Sequence, residues 1–252
     1  MSKGLIFVIP ILIVLVIGGG FYLSQKNKAE TPATTTQTSP QNNSINPSFS
    51  NPKRSAHHEG NTPVHGSTLA GVPINVVIDF NFDLAKPSEI KIQNGQKEYG
   101  VDETIIDENK LAMRKNMDPN SPDGLYTINY NACWADGSCH DGSFQFQIDH
   151  TQAEQFTDLT ARSEITINLK NFQFNPQKAR ISKGTKVIWV NLDDTVHTVN
   201  TDSHPAHTYY PGQNSRDLNQ GDNYSIVFDK PGIYLYHCTP HADSMTGQIL
   251  VE

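Results

Sequence analysis

Apolar and polar residues alternate through much of the chain from position 74 onward. In INVVIDFNF the residues Ile74, Val76, Ile78, Phe80 and Phe82 share one face. A period of two is typical of half-buried strands, and turn signals such as NG and DG separate the runs. The pattern predicts a β-sandwich over residues 56–150. Two further runs, LYTINYNACW and SFQFQI, repeat the alternation with Tyr126, Ile128, Tyr130, Ala132, Trp134, Phe144, Phe146 and Ile148.

The alternation is lost over residues 151–162, which we interpret as a connector or a short helix, and it resumes in EITINL, KVIWVN, YSIVF and IYLYHC. This second set of runs predicts another β-sandwich over residues 163–252. In IYLYHC the pattern places Tyr234, Tyr236 and Cys238 on the core side and leaves His237 as an exposed strand residue. The predicted fold is therefore all-β, with two Greek-key β-sandwich domains in tandem.

The N-terminal pattern is different. Residues 5–23 form an uncharged apolar stretch, LIFVIPILIVLVIGGGFYL, long enough to cross a bilayer as a helix. A cleaved signal peptide is the alternative, but GGGFYLSQ offers no A-x-A-like cleavage site. We predict a single-pass membrane anchor at 1–28, a flexible linker rich in Thr, Ser, Asn and Pro at 29–55, and soluble domains on the extracytoplasmic side.

The charge of the chain excludes one class of function. The net charge of −7 comes from 19 basic and 26 acidic residues with no basic run, which argues against nucleic-acid binding. Cys133 and Cys139 are predicted to form a disulfide in an extracytoplasmic setting, and a thiolate pair for a soft metal is the alternative. This pairing leaves Cys238 for another use.

Candidate chemistry concentrates in YHCTPHADSMTG, where Cys238, His241 and Met245 lie within eight residues. A thiolate, imidazoles and a weak thioether suit a copper ion that cycles between two oxidation states. The best fourth ligand is His197, which follows the strong strand pattern KVIWVN. Because strand ends distant in sequence can lie side by side in a Greek-key sandwich, we predict one copper site on these four residues.

Residues 163–252 resemble the cupredoxins, particularly the plastocyanin and amicyanin branch, in FQFNP, ISKGTKVIWVN, HTV, DKPGIYLYHC and CTPH…MTG. The resemblance implies that His197, Cys238 and His241 are equatorial ligands and Met245 the axial ligand. It also implies that the solvent-near edge of His241 exchanges electrons. Alternation offers His237 as a second port, and an exposed polar strand residue is the preferred interpretation of this histidine. Three residues separate His241 from Met245, against two in amicyanins and four in plastocyanins, which leaves the axial distance open.

Residues 57–150 resemble the CopC-like copper-resistance domain in HHEGNTPVHGSTLAGVPINVVIDFNFDL and GLYTINYNACWADGSCHDGSFQFQI. In that family an N-terminal His and the Asp and His of a DGH motif hold copper(II). Here Asp136 matches the Asp, Ser138 stands at the His position, and His140, His57 and His58 are nearby in sequence. A second copper(II) site on His57, His58, Asp136 and His140 is one interpretation, and a structural domain that has lost its metal is the preferred one.

A single copper ion with no vacant position favours an electron carrier over an enzyme. The chain has no H-x-H motif and one thiolate on the closing loop, which argues against a multicopper oxidase and a dinuclear centre. We therefore expect a membrane-tethered type 1 copper protein that exchanges single electrons with redox protein partners and has no small-molecule substrate. The alternatives are a copper-delivery protein of homeostasis or resistance and a purely structural pair of sandwiches. For His204 and His207 in SHPAHTYYPG, a second metal site is one interpretation, and solvated or hydrogen-bonded histidines are the preferred one.

Overall fold

The computed structural model describes residues 48–252. The predicted anchor at 1–28 and most of the predicted linker at 29–55 lie outside the described residues. Among residues 48–252, no helix is both long enough and apolar enough to cross a membrane. Nearly all of the regular structure is β-strand, which confirms the predicted all-β fold.

The first half of the described chain forms two sheets, with strand orders β1-β3-β7-β6 and β2-β9-β8-β4-β5. A 3₁₀-helix at His150–Gln155 follows, where the sequence predicts a connector. The strands of this half are β1 (His58–Thr62), β2 (Thr68–Leu69), β3 (Asn75–Phe80), β4 (Leu84–Asn94), β5 (Lys97–Glu98), β6 (Gly100–Ile106), β7 (Ala112–Met117), β8 (Gly124–Trp134) and β9 (Cys139–Ile148).

The second half also forms two sheets, with strand orders β10-β13-β18-β17-β15 and β12-β11-β14-β16. Two sheets in each half are consistent with the predicted pair of β-sandwiches. Its strands are β10 (Thr157–Asp158), β11 (Glu164–Lys170), β12 (Gln173–Asn175), β13 (Lys178–Ile181), β14 (Lys186–Asn191), β15 (Asn200–Thr201), β16 (Asn223–Val227), β17 (Gly232–His237) and β18 (Thr246–Val251).

The predicted inward faces of β8 and β9 are confirmed, because every residue assigned to the core there is buried. Two tyrosines each cover a glycine on the neighbouring strand. Tyr130 on β8 pairs with Gly142 on β9, and Tyr236 on β17 pairs with Gly247 on β18. A Cβ atom at Gly142 would lie 2.0 Å from the Cζ of Tyr130, and one at Gly247 would lie 2.2 Å from the Cζ of Tyr236. Only glycine leaves room for each ring.

Strand β3 departs from the predicted half-buried pattern, because all six of its residues are buried. Its second face packs against the second half of the chain rather than facing water. There Asn75 Nδ2 donates a hydrogen bond to the Tyr209 carbonyl at 3.2 Å. The prediction that Phe82 shares the core face of β3 is wrong. Phe82 follows the strand and is 51% exposed, stacked on His57 with ring centroids 4.9 Å apart.

Strand β17 meets the first half in the same way. Leu235 joins the hydrophobic core of the first half, and the Ile233 N–H donates to the Val72 carbonyl at 2.9 Å. The prediction that His237 is exposed is wrong, since this residue is only 2% exposed. Alternation correctly places the His237 and Cys238 side chains on opposite faces, but the protein also covers the face that carries His237.

The Asp79 carboxylate joins the two halves of the described chain. It is 2% exposed, and it accepts hydrogen bonds from Thr208 Oγ1 at 2.6 Å and from Ser203 Oγ. Desolvation raises the pKa of Asp79, and the two hydroxyl groups partly oppose this shift. A buried carboxylate of β3 therefore holds both ends of a loop from the second half.

Cys133 and Cys139 form a disulfide, which confirms the predicted pairing. The bond closes the turn between β8 and β9. Cys238 is the free cysteine, and it is buried.

Substitution of Asp79 by Asn is expected to change how stability depends on pH. Because the native pKa of Asp79 is raised, the native state binds more protons than the unfolded state above the ordinary carboxyl pKa of about 3.9. As pH rises from that value to the native pKa, the wild-type free energy of unfolding should fall relative to Asp79→Asn, with a limiting slope of about 1.4 kcal/mol per pH unit.

Chemical denaturation at a series of pH values measures this difference. Asp83→Asn is the matched control, because it makes the same chemical change at an exposed position of the same region. Asp107 and Arg114 also act on Asp79, in opposite directions, and both are retained in the two variants. A wild-type stability that rises relative to Asp79→Asn over this pH range would contradict the prediction.

Candidate metal centre

Three of the four predicted ligands lie together at one end of the second half. One ligand atom from each of His197, Cys238 and His241 falls within 4.8 Å of the others. The Cys238 Sγ lies 3.5 Å from His197 Nδ1 and 3.4 Å from His241 Nδ1. Metal bonds of about 2.1 Å to nitrogen and about 2.3 Å to sulfur place these atoms roughly 3.5 Å apart at tetrahedral angles. The spacing therefore fits a shared metal ion.

The closing loop positions its ligands through short backbone hydrogen bonds. Cys238 directly follows β17, and a 3₁₀-helix at Thr239–His241 then carries His241 toward the sulfur. The Cys238 N–H donates to the Met245 carbonyl, and the Met245 N–H donates to the His241 carbonyl, both at 2.9 Å. Met245, which directly precedes β18, is fully buried. The loop is thus closed on itself between two paired strands.

The Cys238 sulfur is withdrawn from water. The residue is 0% exposed, and the Thr198 N–H donates to its sulfur at 3.4 Å. Desolvation raises the pKa of the Cys238 thiol. A buried thiolate needs a positive charge beside it, and a sulfur donor with two imidazoles is the donor set that suits copper. The chemistry of the cluster therefore fits this metal.

Asp193 orients His197, a role that the sequence patterns did not reveal. Its Oδ2 lies 2.9 Å from His197 Nε2. Because an ionised carboxylate only accepts hydrogen bonds, Nε2 carries the proton and the Nδ1 lone pair is free to face Cys238. The available signal was a carboxylate four residues before the histidine in LDDTVH, but such loop contacts have no periodicity.

The same carboxylate fixes the turn beside the cluster. Asp193 accepts hydrogen bonds from the backbone N–H groups of Asn171 at 2.8 Å and Phe172 at 3.1 Å. These two residues have φ values of 55° and 60°, a left-handed conformation that costs about 1–2 kcal/mol per residue without glycine. Desolvation raises the pKa of Asp193. The hydrogen bonds from Phe172, Asn171 and His197 lower it by more, so that the pKa of this carboxyl is lowered overall.

Phe172 covers the two imidazoles. Its ring lies edge-on to His241 at 4.9 Å and to His197 at 5.5 Å between centroids. Phe172 is 47% exposed, whereas His197 is buried and His241 is partly exposed. The FQFNP motif contains this phenylalanine, but its contact with both histidines requires the turn held by Asp193.

The four residues of the alternative copper(II) site in the first half contact other side chains, and the rings of His57 and His140 both pack against Trp134. His57 Nδ1 lies 3.0 Å from Asn81 Oδ1, and His58 Nε2 lies 3.2 Å from Asn61 Oδ1. Asp136 accepts hydrogen bonds from Ser138, and the His140 ring packs 5.3 Å from that of Trp134. In the described part of the chain, His57, His58, Asp136 and His140 are not brought into one metal-binding group.

Two family models match this chain. The model for copper binding proteins of the plastocyanin/azurin family matches residues 161–252, and the CopC domain model matches residues 58–149. Both predicted resemblances are therefore confirmed.

Individual relatives match about a third of the chain. The chain is 31% identical over 86 residues to amicyanin-alpha of Methylorubrum extorquens, covering 34% of this chain and 70% of that protein. It is 30% identical over 102 residues to halocyanin of Natronomonas pharaonis, covering 38% of this chain and 61% of that protein. A solved structure of a purple cupredoxin from Nitrosopumilus maritimus matches 36% of this chain and 100% of its own at 27% identity, with a TM-score of 0.30.

Removal of the Asp193 carboxylate should weaken copper binding. We expect Asp193→Ala to lower copper affinity about 10- to 100-fold, because carboxylate partners of metal-binding histidines typically contribute that much. Competition against a copper chelator of known affinity measures the change. Asp194→Ala is the control, since this neighbouring carboxylate is exposed. Equal affinities in the two variants would contradict the role assigned to Asp193.

Proposed function

Because this chain belongs, through residues 161–252, to the plastocyanin/azurin family of copper-binding proteins, we propose that it carries single electrons through a type 1 copper centre. His197, Cys238 and His241 are the proposed equatorial ligands, and Met245 is the proposed axial ligand. The observation that carries the proposal is the convergence of two Nδ1 atoms on the Cys238 sulfur at 3.5 and 3.4 Å.

Electron transfer is fast when the ligands move little between oxidation states. When bound, copper supplies the one-electron chemistry by alternating between Cu(I) and Cu(II). The protein restrains the donors: Asp193 holds His197, the Thr198 N–H contacts the sulfur, and the backbone of Met245 is tied to Cys238 and His241. Four protein donors leave no vacant position for a substrate, which favours an electron carrier over an enzyme.

The route for electrons is proposed to pass through His241. This ligand is partly exposed, whereas His197 and Cys238 are buried. The exposed Phe172 ring beside it offers an apolar surface on which redox protein partners can dock closely. His237 is unsuitable as a second exposed port because it is buried.

The cellular setting is part of the proposal. We place the CopC-like domain at 56–150, the connector at 151–162 and the cupredoxin domain at 163–252 outside the cytoplasm, tethered by the apolar segment within residues 1–28. The disulfide between Cys133 and Cys139 supports this setting, because such bonds persist in oxidising compartments.

Copper handling is the second candidate function. It is favoured by the CopC domain match over residues 58–149. Two measurements together discriminate between the two functions. One is the copper content per chain, and the other is the transfer of copper to an acceptor protein that lacks it. One redox-active copper retained by the protein supports the carrier, whereas release of copper to the acceptor without redox cycling supports delivery.

Cys238→Ala should abolish the intense visible absorption that thiolate-to-copper charge transfer produces. It should also abolish reversible one-electron reduction, because the sulfur is the central donor of the cluster. Visible spectroscopy and voltammetry of the copper-loaded protein test both expectations. The Cys133→Ala/Cys139→Ala double variant should retain both signals, since these cysteines lie in the first half. A Cys238→Ala protein that keeps the visible band would overturn the type 1 assignment.

Met245→Leu should retain copper and raise its reduction potential. The thioether is the weak axial donor proposed to favour the oxidised ion, and leucine fills similar volume without donating. We expect a shift of at least about 59 mV, a tenfold change in the one-electron equilibrium. Met117→Leu, a buried methionine of the first half, is the control. An unchanged potential in Met245→Leu would exclude Met245 as the axial ligand.

A further inference from the structure

Three histidines form a second cluster on the opposite face of β17. His204 and His207 lie in the loop at residues 202–209, and His237 ends the strand. One ring nitrogen from each falls within 4.8 Å of the others. We propose that His204, His207 and His237 form a second metal site, which binds a borderline divalent cation such as Zn²⁺ or Cu²⁺. Imidazole donors without sulfur suit these ions.

The spacing of the nitrogen atoms fits a shared ion. His207 Nε2 lies 3.2 Å from His237 Nε2. Metal–nitrogen bonds of about 2.0–2.1 Å separate two such atoms by roughly 3.3 Å at tetrahedral angles. The ring centroid of His204 lies 5.7 Å from that of His207 and 5.3 Å from that of His237. The third imidazole therefore borders both of the others.

Asp202 prepares His237 to donate a lone pair. Its Oδ1 lies 2.8 Å from His237 Nδ1. An ionised carboxylate can only accept, so Nδ1 carries the proton, and in a neutral ring the Nε2 lone pair then faces His207. Metal-binding histidines commonly have such a carboxylate on the other ring nitrogen. His237 is 2% exposed, which makes this arrangement part of the folded interior.

The loop that carries the other two histidines is held on both sides. Ser203 precedes His204 and Thr208 follows His207, and both hydroxyl groups donate to Asp79 of the first half. His207 Nε2 also lies 3.1 Å from Thr239 Oγ1. The loop therefore holds His207 beside His237.

Access and coordination number agree with the proposal. His204 is exposed and His207 is partly exposed, so an ion can enter from solvent. Three nitrogen donors leave a fourth position for water or an external ligand. This donor set differs from that of the Cys238 cluster, whose cysteine directly follows His237 in the chain.

Zinc binding to the full chain tests the site. The protein is first loaded with one equivalent of copper, then equilibrated with Zn²⁺, and the bound metals are counted by elemental analysis. We expect one zinc per wild-type chain and at least a tenfold weaker zinc affinity in the His204→Ala/His207→Ala double variant. The His57→Ala/His140→Ala double variant is the control and should bind zinc as the wild type does.

Cobalt provides a spectroscopic readout that does not depend on the electron-carrier proposal. In a Cys238→Ala background, Co²⁺ should give the visible bands of a tetrahedral nitrogen site without thiolate charge transfer, and adding the His204→Ala/His207→Ala changes should remove them. Absence of zinc beyond the copper equivalent in the wild type would overturn the second site. So would zinc retained in the His204→Ala/His207→Ala protein, or lost only in the control.

Discussion

Burial of β3 and β17 on both faces is the constraint on which the rest of the structure depends. A strand covered on one face can send polar side chains into water, but these two strands cannot. Asn75 and Asp79 on β3 and His237 on β17 must therefore find hydrogen-bond partners within the protein. Their partners lie in the loop at residues 202–209, which is consequently held between the two halves.

Two carboxylates serve the two histidine clusters in the same way. Asp193 accepts a hydrogen bond from the Nε2–H group of His197, and Asp202 accepts one from the Nδ1–H group of His237. In each case the other ring nitrogen faces the cluster as a lone-pair donor. Because β17 continues directly into Cys238, the two clusters are linked through adjacent residues of one chain segment, with donors of different softness on its two faces.

The sequence predicts the regular part of this structure well. Period-two alternation gives the inward faces of β8 and β9 because it depends only on local geometry, and ligand chemistry groups His197, Cys238 and His241 before any contact is known. Alternation fails at Phe82 and His237, since it shows which residues share a face but not what covers that face. The sequence does not predict the roles of Asp193 and Asp202, because their contacts involve loop residues, which follow no periodic pattern.

The paired glycines and tyrosines restrict how this chain can change. At Gly142 and Gly247 any added side chain would overlap a tyrosine ring, and a smaller residue at Tyr130 or Tyr236 would leave a void against a bare backbone. Substitution of only one member of a glycine–tyrosine pair should therefore destabilise the protein. Related chains should therefore exchange these positions jointly, and libraries that aim to alter the protein near Cys238 need to randomise 236 and 247 together.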